Sequence, residues 1–290
     1  MSAKILYGKE FAARIKEEAR READEVKRGT GIAPGLAVII VGSDPASEVY
    51  VRNKQKACDE LALYSVKVEL PEETSREELI AKIDELNDDE KVHGILVQLP
   101  LPRSLAKHEA EVLNRIRPEK DVDGFHPMNV GRLSIGERTL TPCTPTGVIR
   151  MLEMANIKID GAHAVVIGRS NIVGKPMANL LLQKNATVTV CHSHTKNLKE
   201  ITRTADIIVA AVGHPKFVTA DMVKEGATVI DVGINRVMVG GERKLVGDVD
   251  FDGASEVAGA ITPVPGGVGL LTIAMLMHNT VAAAKMQLGI

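Results

Sequence analysis

The chain has no tryptophan, and its four Phe and three Tyr make up 2% of 290 residues. Its interior must be filled by Val, Ile, Leu, Ala and Met, a composition that suits buried parallel strands covered by helices. Cysteine is also scarce: Cys58, Cys143 and Cys191 are widely spaced, odd in number and contain no CxxC pair. That excludes a disulfide framework and fits a reducing compartment, so a cytoplasmic location is expected. Neither sign of charge is in excess, since 36 Lys+Arg against 38 Asp+Glu gives a net charge of -2. Nucleic acid and an anionic membrane surface are thereby excluded as main partners on broad electrostatics, though a local basic pocket is allowed. The N-terminal stretch has many acids and no long apolar run, unlike a signal or transit peptide. Val257 to Ala284 contains no Asp, Glu, Lys or Arg, but Pro263, Pro265 and four glycines interrupt it. The solid apolar part, Val268 to Met277, is shorter than the about 20 residues of a membrane span, so a buried helix is expected.

What is present is ordinary for a globular chain: 44% hydrophobic and 26% charged residues. The length fits about two domains at roughly 150 residues each. Apolar residues at helical spacing predict a helix over Lys9 to Lys27, and others over Ser47 to Leu61 and Ser75 to Asn87. The last starts with Ser75 and Glu78 in capping-box spacing. Short apolar runs at Gly35 to Gly42, Ser65 to Leu70 and Val92 to Pro102 read as strands. A repeating β-α order implies a parallel α/β sheet. Arg117 to Pro145 is rich in Pro, Gly and Asp without a clear period and reads as loop, the expected interdomain boundary. A helix over Val148 to Ala155 follows it. Further strands are expected at Ala162 to Gly168, Ala186 to Ser193, Asp206 to Gly213 and Ala227 to Ile234. Helices are expected over Gly174 to Lys184, Leu198 to Thr204 and Leu270 to Gln287. The expected fold class is α/β, with two α/β domains, the second a Rossmann-like doubly wound parallel sheet. The divisions are 1–143, 144–269, and a C-terminal helix 270–290 returning to the first domain.

The strand-turn-helix VVIGRSNIVGKPMANLLL has the spacing GxSxxxGxP rather than GxGxxG. Gly168 permits a tight turn, Gly174 lets helix and strand approach, and the helix N-terminus offers free N–H groups for a phosphate. A plain βα turn is the alternative. An NAD site usually carries an acid about 20 residues after the first glycine. Here the second strand ends Val190-Cys191-His192-Ser193-His194-Thr195, without one. Arg169 and Ser193 would bind a 2′-phosphate, which favours NADP; Arg169 as a solvated loop cation is the other reading. Tyr50 and Lys54 lie four apart on a predicted helix and share a face. Tyr offers a stacking plate and Lys a proton-transfer group whose pKa falls on burial, although such pairs are most often surface residues. Gln98, inside the apolar GILVQLPLP, needs partners. Asp121 reads as a turn residue, and Asp123 as a turn or site residue. His192 and His194 alternate without a third ligand at metal spacing, so no metal is expected. PVPGGVG lacks the Lys-Ser/Thr of a triphosphate loop, and Cys58 reads as packing.

Taken together, VGSDPASEVYVRNKQKAC, GILVQLPLP, RPEKDVDGFHPMNVGRL, PCTPTGV, VVIGRSNIVGKPMANLL, CHSHT, ADIIVAAVG, VIDVGINR, GDVDF and TPVPGGVG resemble the bifunctional methylenetetrahydrofolate dehydrogenase/methenyltetrahydrofolate cyclohydrolase family across almost the whole chain. The resemblance implies two α/β domains flanking a cleft, in a homodimer. It implies NADP-linked oxidation of 5,10-methylenetetrahydrofolate and hydrolysis of the methenyl product to 10-formyltetrahydrofolate, in one-carbon metabolism that supplies purine biosynthesis. By the same resemblance Lys54 is the central catalytic group, Tyr50 stacks on the folate, Gln98 tunes Lys54 and Asp123 grips the pterin. Val97, Leu99, Pro265, Gly266, Gly267, Val268 and Gly269 complete the folate pocket, and Gly168, Arg169, Ser170, Ser193 and Ile234 line the NADP site. Two positions depart from the family: Leu270-Leu271 replace Pro-Met after GGVG, which puts loop rigidity in doubt, and Ala62 replaces a frequent Gly, which should affect only its turn. The rivals are a dehydrogenase of another small substrate, a dehydrogenase without the hydrolase step, and a folate- or nucleotide-binding regulator without turnover.

Overall fold

The computed structural model describes residues 3–239 and 242–290. In chain order the elements are β1 (Lys4–Ile5), α1 (Gly8–Thr30), β2 (Gly35–Val41), α2 (Pro45–Glu60), β3 (Tyr64–Leu70), α3 (Arg76–Asp88), β4 (Gly94–Val97), α4 (Glu109–Arg115), α5 (Pro127–Ile135) and α6 (Cys143–Met154). Then come β5 (His163–Ile167), α7 (Gly174–Gln183), β6 (Thr187–Cys191), α8 (Leu198–Thr202), β7 (Ile207–Ala210), β8 (Thr228–Asp231), β9 (Asn235–Val239), β10 (Glu242–Val246), α9 (Phe251–Ser255), β11 (Ala260–Ile261) and α10 (Gly269–Leu288). They fall into two compact units. A three-stranded unit comprises Arg14–Cys143 with Ile273–Ile290, and a six-stranded unit comprises Met1–Ala13 with Thr144–Thr272.

In the three-stranded unit the sheet order is β3-β2-β4, and both pairings are parallel. Every residue of β2 is buried, as a central strand covered on both faces requires. Ala37, Ile39 and Val41 pack with Ile95 and Val97 against Leu79 and Ile83 of α3 and Val112 of α4. The expected capping box starts α3: the Ser75 hydroxyl accepts from Glu78 N–H at 3.2 Å, and the Glu78 carboxylate accepts from Ser75 N–H at 2.8 Å.

The six-stranded unit has the order β1-β11-β8-β7-β5-β6, parallel throughout. β6 lies on one side of β5 and β7 on the other, so the strand order reverses at β5. Loops at the carboxyl ends of β5 and β7 therefore flank a topological switch point, the usual ligand position in such sheets. Val165, Ile167, Ile208, Ala210, Val229 and Ile261 fill its core without an aromatic ring among the strands.

Several elements differ from the sequence expectation. The segment 1–13 groups with the six-stranded sheet rather than with the residues up to 143, because Lys4 and Ile5 pair with Ala260 and Ile261. Two-residue strands are too short to show a period. The expected loop 117–145 contains α5 and the start of α6. Pro127 opens α5, the His126 ring nitrogen accepts from Met128 N–H at 3.1 Å, and Gly136 closes it in the left-handed region. Pro145 sits in the first turn of α6, where its missing N–H costs nothing. α4 and α9 carry no expectation. Nor does the antiparallel hairpin β9-β10, although the Gly240-Gly241 pair between two apolar-polar runs is a hairpin signal. Among the described residues no helix is long and apolar enough to cross a membrane.

Candidate active site and dinucleotide site

Three parts of the three-stranded unit bring polar groups to the carboxyl ends of its strands. α2 follows β2 and is started by Asp44, whose carboxylate accepts from Ser47 N–H and Ser47 hydroxyl, both at 2.8 Å. It presents Lys54, only 8% exposed, and one turn earlier Tyr50, 40% exposed. Gln98 directly follows β4. Asp123 comes from the segment that continues the sheet beyond β4: Ile95 N–H donates to Lys120 carbonyl at 2.7 Å, and Ile95 bridges to Asp121.

Lys54 Nζ donates to Gln98 Oε1 at 2.8 Å, while Gln98 Nε2 donates to the Leu99 carbonyl at 2.8 Å. The second bond fixes the amide so that its oxygen faces the lysine. Burial lowers the Lys54 pKa, and the carboxylate of Asp123 partly restores it. Burial pushes the Asp123 carboxyl up to about 6, against the opposing pull of Lys54. The two groups thus approach each other in proton affinity, a property of proton-transfer sites.

The other expected residues divide. Leu99 packs partly buried beside the core and contributes its carbonyl to Gln98. The Val97 side chain, 2% exposed, belongs to the core cluster, so only its main chain is available to a substrate. Asp121 is buried and accepts from His126 N–H at 2.8 Å and Asn129 Nδ2 at 2.9 Å, the turn role expected of it. Cys58 is buried, 3.7 Å from the Met277 sulfur, and burial pushes its thiol up to about 11, as suits packing. A surface depression lined by Asp84, Asp88, Arg115 and Arg117 shares no residue with the Lys54 cluster. Its cations are engaged, Arg115 with Asp84 and Arg117 with Asp88, both at 2.5 Å.

Pro265, Gly266, Gly267, Val268 and Gly269 belong to the six-stranded unit, as do all five cofactor candidates. The loop is anchored there by Gly8 N–H donating to the Gly266 carbonyl at 2.8 Å. Gly168 has φ +129°, and a Cβ there would lie 2.1 Å from the Ala211 carbonyl oxygen at the end of β7. A Cβ on Gly174 would lie 2.3 Å from the Gly168 carbonyl oxygen. Both glycines are required by close backbone approach. Arg169, Ser170 and Ser193 are exposed beside this turn, and Ile234 is 50% exposed after β8. One expectation needs correction: the first N–H groups of α7 are not free. Ser170 Oγ accepts from Val173 and Gly174 N–H at 3.2 and 3.3 Å, and its carbonyl accepts from Lys175 N–H at 3.0 Å. Ser170 therefore caps the helix from within the turn.

Some participants were not singled out by sequence. The Cys143 thiol donates to the Val122 carbonyl at 3.4 Å, and Asn279 Nδ2 donates to the carbonyls of Val122 and Thr141 at 2.8 and 2.9 Å. These bonds hold the main chain that presents Asp123. Asn279, an amide inside an apolar helix, carries the same signal as Gln98.

The residue patterns have close counterparts. The family description "Tetrahydrofolate dehydrogenase/cyclohydrolase, catalytic domain" matches residues 6–123, and the NAD(P)-binding domain of the same family matches 142–288. The chain is 59% identical over 285 residues to the bifunctional protein FolD of Halalkalibacterium halodurans, covering 98% of this chain and 100% of that one. Among solved structures, the bifunctional FolD of Campylobacter jejuni is 50% identical with a TM-score of 0.93, covering 99% of this chain and 100% of that one. The Trypanosoma brucei methylenetetrahydrofolate dehydrogenase-cyclohydrolase, complexed with NADP and an inhibitor, is 41% identical with a TM-score of 0.93, covering 99% of each. The chain therefore belongs to the tetrahydrofolate dehydrogenase/cyclohydrolase family.

Proposed function

We propose that the chain is an NADP-dependent 5,10-methylenetetrahydrofolate dehydrogenase and 5,10-methenyltetrahydrofolate cyclohydrolase. The observation that carries this reading is the buried Lys54 held on Gln98, with Asp123 raised in pKa beside it. NADP fits the six-stranded unit: its glycine cradle lies at the switch point, Arg169 and Ser193 are exposed, and β6 ends without an acid. When bound, it supplies the hydride acceptor.

The protein's own groups then have distinct tasks. Tyr50 offers a half-exposed ring on which the pterin stacks. Asp123, ionised above about pH 6, accepts from the pterin's N–H edge. Leu99 and the Val97 main chain complete the folate contacts of this unit. A cation grows on the substrate as its methylene carbon loses hydride, and a second cation close by would oppose it. Burial weakens the hold of Lys54 on its proton, which makes it easier to discharge the lysine and ease that repulsion. In hydrolysis Lys54, once it has released its proton, accepts one from the water that adds to the methenyl carbon, then returns it to the leaving ring nitrogen. Gln98 keeps Lys54 aimed for both transfers. Gly168, Arg169, Ser170, Ser193 and Ile234 line the dinucleotide site, where Ser170 shapes the turn rather than leaving helix N–H groups bare. We further infer a cytoplasmic homodimer.

Purified protein supplied with 5,10-methylenetetrahydrofolate should form NADPH, faster with NADP than with NAD, and should leave no lasting methenyl absorbance. No turnover with either dinucleotide overturns this reading. Sedimentation tests the dimer.

A further inference from the structure

Two carboxylates of the six-stranded unit have no part in these roles. Asp231 ends β8 and is 3% exposed; Asp248 follows β10 and is 0% exposed. Among the described residues neither is in an ion pair, and Lys216, whose N–H donates to the Gly247 carbonyl, is engaged with Asp250 at 3.0 Å. N–H groups meet the charge instead. Asp231 Oδ1 accepts from Gly233 and Asp248 N–H, and its Oδ2 from Val249 N–H, all at 2.9 Å. Asp248 Oδ2 accepts from Val212 N–H at 2.6 Å and Gly213 N–H at 2.9 Å, and its Oδ1 from Asn235 Nδ2 at 2.8 Å. The chain leaves room for nothing else: a Cβ on Gly233 would lie 2.2 Å from the Asp248 carboxyl carbon, and one on Gly247 1.8 Å from Asp231 Oδ2.

Two adjacent buried anions without a cation are an expensive way to fill an interior, and an apolar pair would cost less. What this pair provides is geometry. Val212 and Gly213 form the exit of β7, at the switch point beside the Gly168 turn. Gly233 to Asn235 form the exit of β8 and carry the exposed Ile234. Asp231 N–H donates to Thr262 Oγ1 at 2.8 Å, one residue before the Pro263–Gly269 loop. The exits of two neighbouring strands are thus tied to one carboxylate.

We propose that Asp248, itself held by the N–H-saturated Asp231, is a positioning residue for the dinucleotide. Its carboxylate locks Val212-Gly213 and Ile234-Asn235 into one wall of the cofactor site. This rests on the reading of that unit as the NADP site. The test titrates full-length wild type, Asp248→Asn and Asn235→Ala with NADPH by calorimetry. It also assays the three proteins for dehydrogenase turnover and for hydrolysis of preformed 5,10-methenyltetrahydrofolate without dinucleotide. In Asp248→Asn, one carboxylate acceptor becomes a donor facing N–H groups. NADPH affinity should fall, and KM for NADP rise, by roughly tenfold or more, the equivalent of one charged hydrogen bond. KM for the folate and the hydrolysis rate should stay within about twofold, the span of a small fraction of a hydrogen bond. Asn235→Ala, which removes a single donor, should shift NADPH affinity the same way by less, and it decides the matter if Asp248→Asn does not fold. Unchanged NADPH affinity in both variants, or hydrolysis lost in step with it, overturns the inference. A wild type that does not bind NADPH overturns the NADP reading instead.

Discussion

Lys54 and Asp248 are both ionisable groups taken out of water, one in each unit, and they are satisfied differently. Lys54 donates to the Gln98 oxygen, and its nearest charges are side chains that can themselves take up or lose a proton. Asp248 has three N–H partners, two of them main chain, and none can change its charge at ordinary pH. A group answered by titratable neighbours can exchange protons. A group answered by main-chain donors can only hold them in place. The contrast separates a centre built for chemistry from one built for shape.

The largest expected break falls on the cofactor side. Gly174→Ala drives a Cβ into the fixed Gly168 carbonyl at 2.3 Å. It should lower stability in urea unfolding by at least about 3 kcal/mol and abolish NADPH binding. Protein that remains folded should still hydrolyse methenyltetrahydrofolate.

A smaller effect sharpens the contrast through pH. Asp123 and Asp231 both reach about 6, but beside neighbours of opposite sign: Lys54 pulls Asp123 down, and Asp248 pushes Asp231 up. Carbon-detected titration of the carboxyls should show Asp231 fall in Asp248→Asn and Asp123 rise in Lys54→Met. The folded carboxyls hold protons that the unfolded chain has released, so this contribution to stability is full below about pH 4 and is lost as pH rises through 6. It should amount to on the order of 3 kcal/mol for each group, read from urea midpoints across that window.

The smallest expected effect lies away from both centres. Ala62 has φ +52°, a conformation that costs a non-glycine residue about 1 to 2 kcal/mol. Ala62→Gly should raise thermal stability by about 0.5 kcal/mol after the greater freedom of the unfolded chain is counted, with turnover unchanged. The departure from the family at this position is therefore energetic as well as local.

These residues also show what a sequence displays. The buried strands were legible because Val, Ile and Ala runs end in Gly, and Gly168 and Gly174 because their spacing implies close approach. Gln98 stands out as a polar group in an apolar run, whereas Lys54, among Arg52, Asn53, Gln55 and Lys56, is marked only by its spacing from Tyr50 and by the family resemblance. The helix α5 was hidden by its own Pro, Gly and Asp content, even though Pro127 and Gly136 are its start and stop signals. The strands β1 and β11 have two residues each and owe their existence to pairing across the fold. Asp231 and Asp248 carry no expectation, since nothing local shows that Asp231 takes N–H groups from 248 and 249, or that Asp248 takes its donors from 212, 213 and 235. The free N–H groups expected at α7 are taken by Ser170, a side-chain choice that spacing does not encode.

We propose that burial makes Lys54 the proton-transfer group of the hydrolytic step. It is tested most directly by following NADPH and methenyl absorbance together in wild type and Lys54→Met. Hydrolysis should fall by at least about 100-fold while NADPH still forms and methenyltetrahydrofolate accumulates. Hydrolysis at the wild-type rate in Lys54→Met would contradict it.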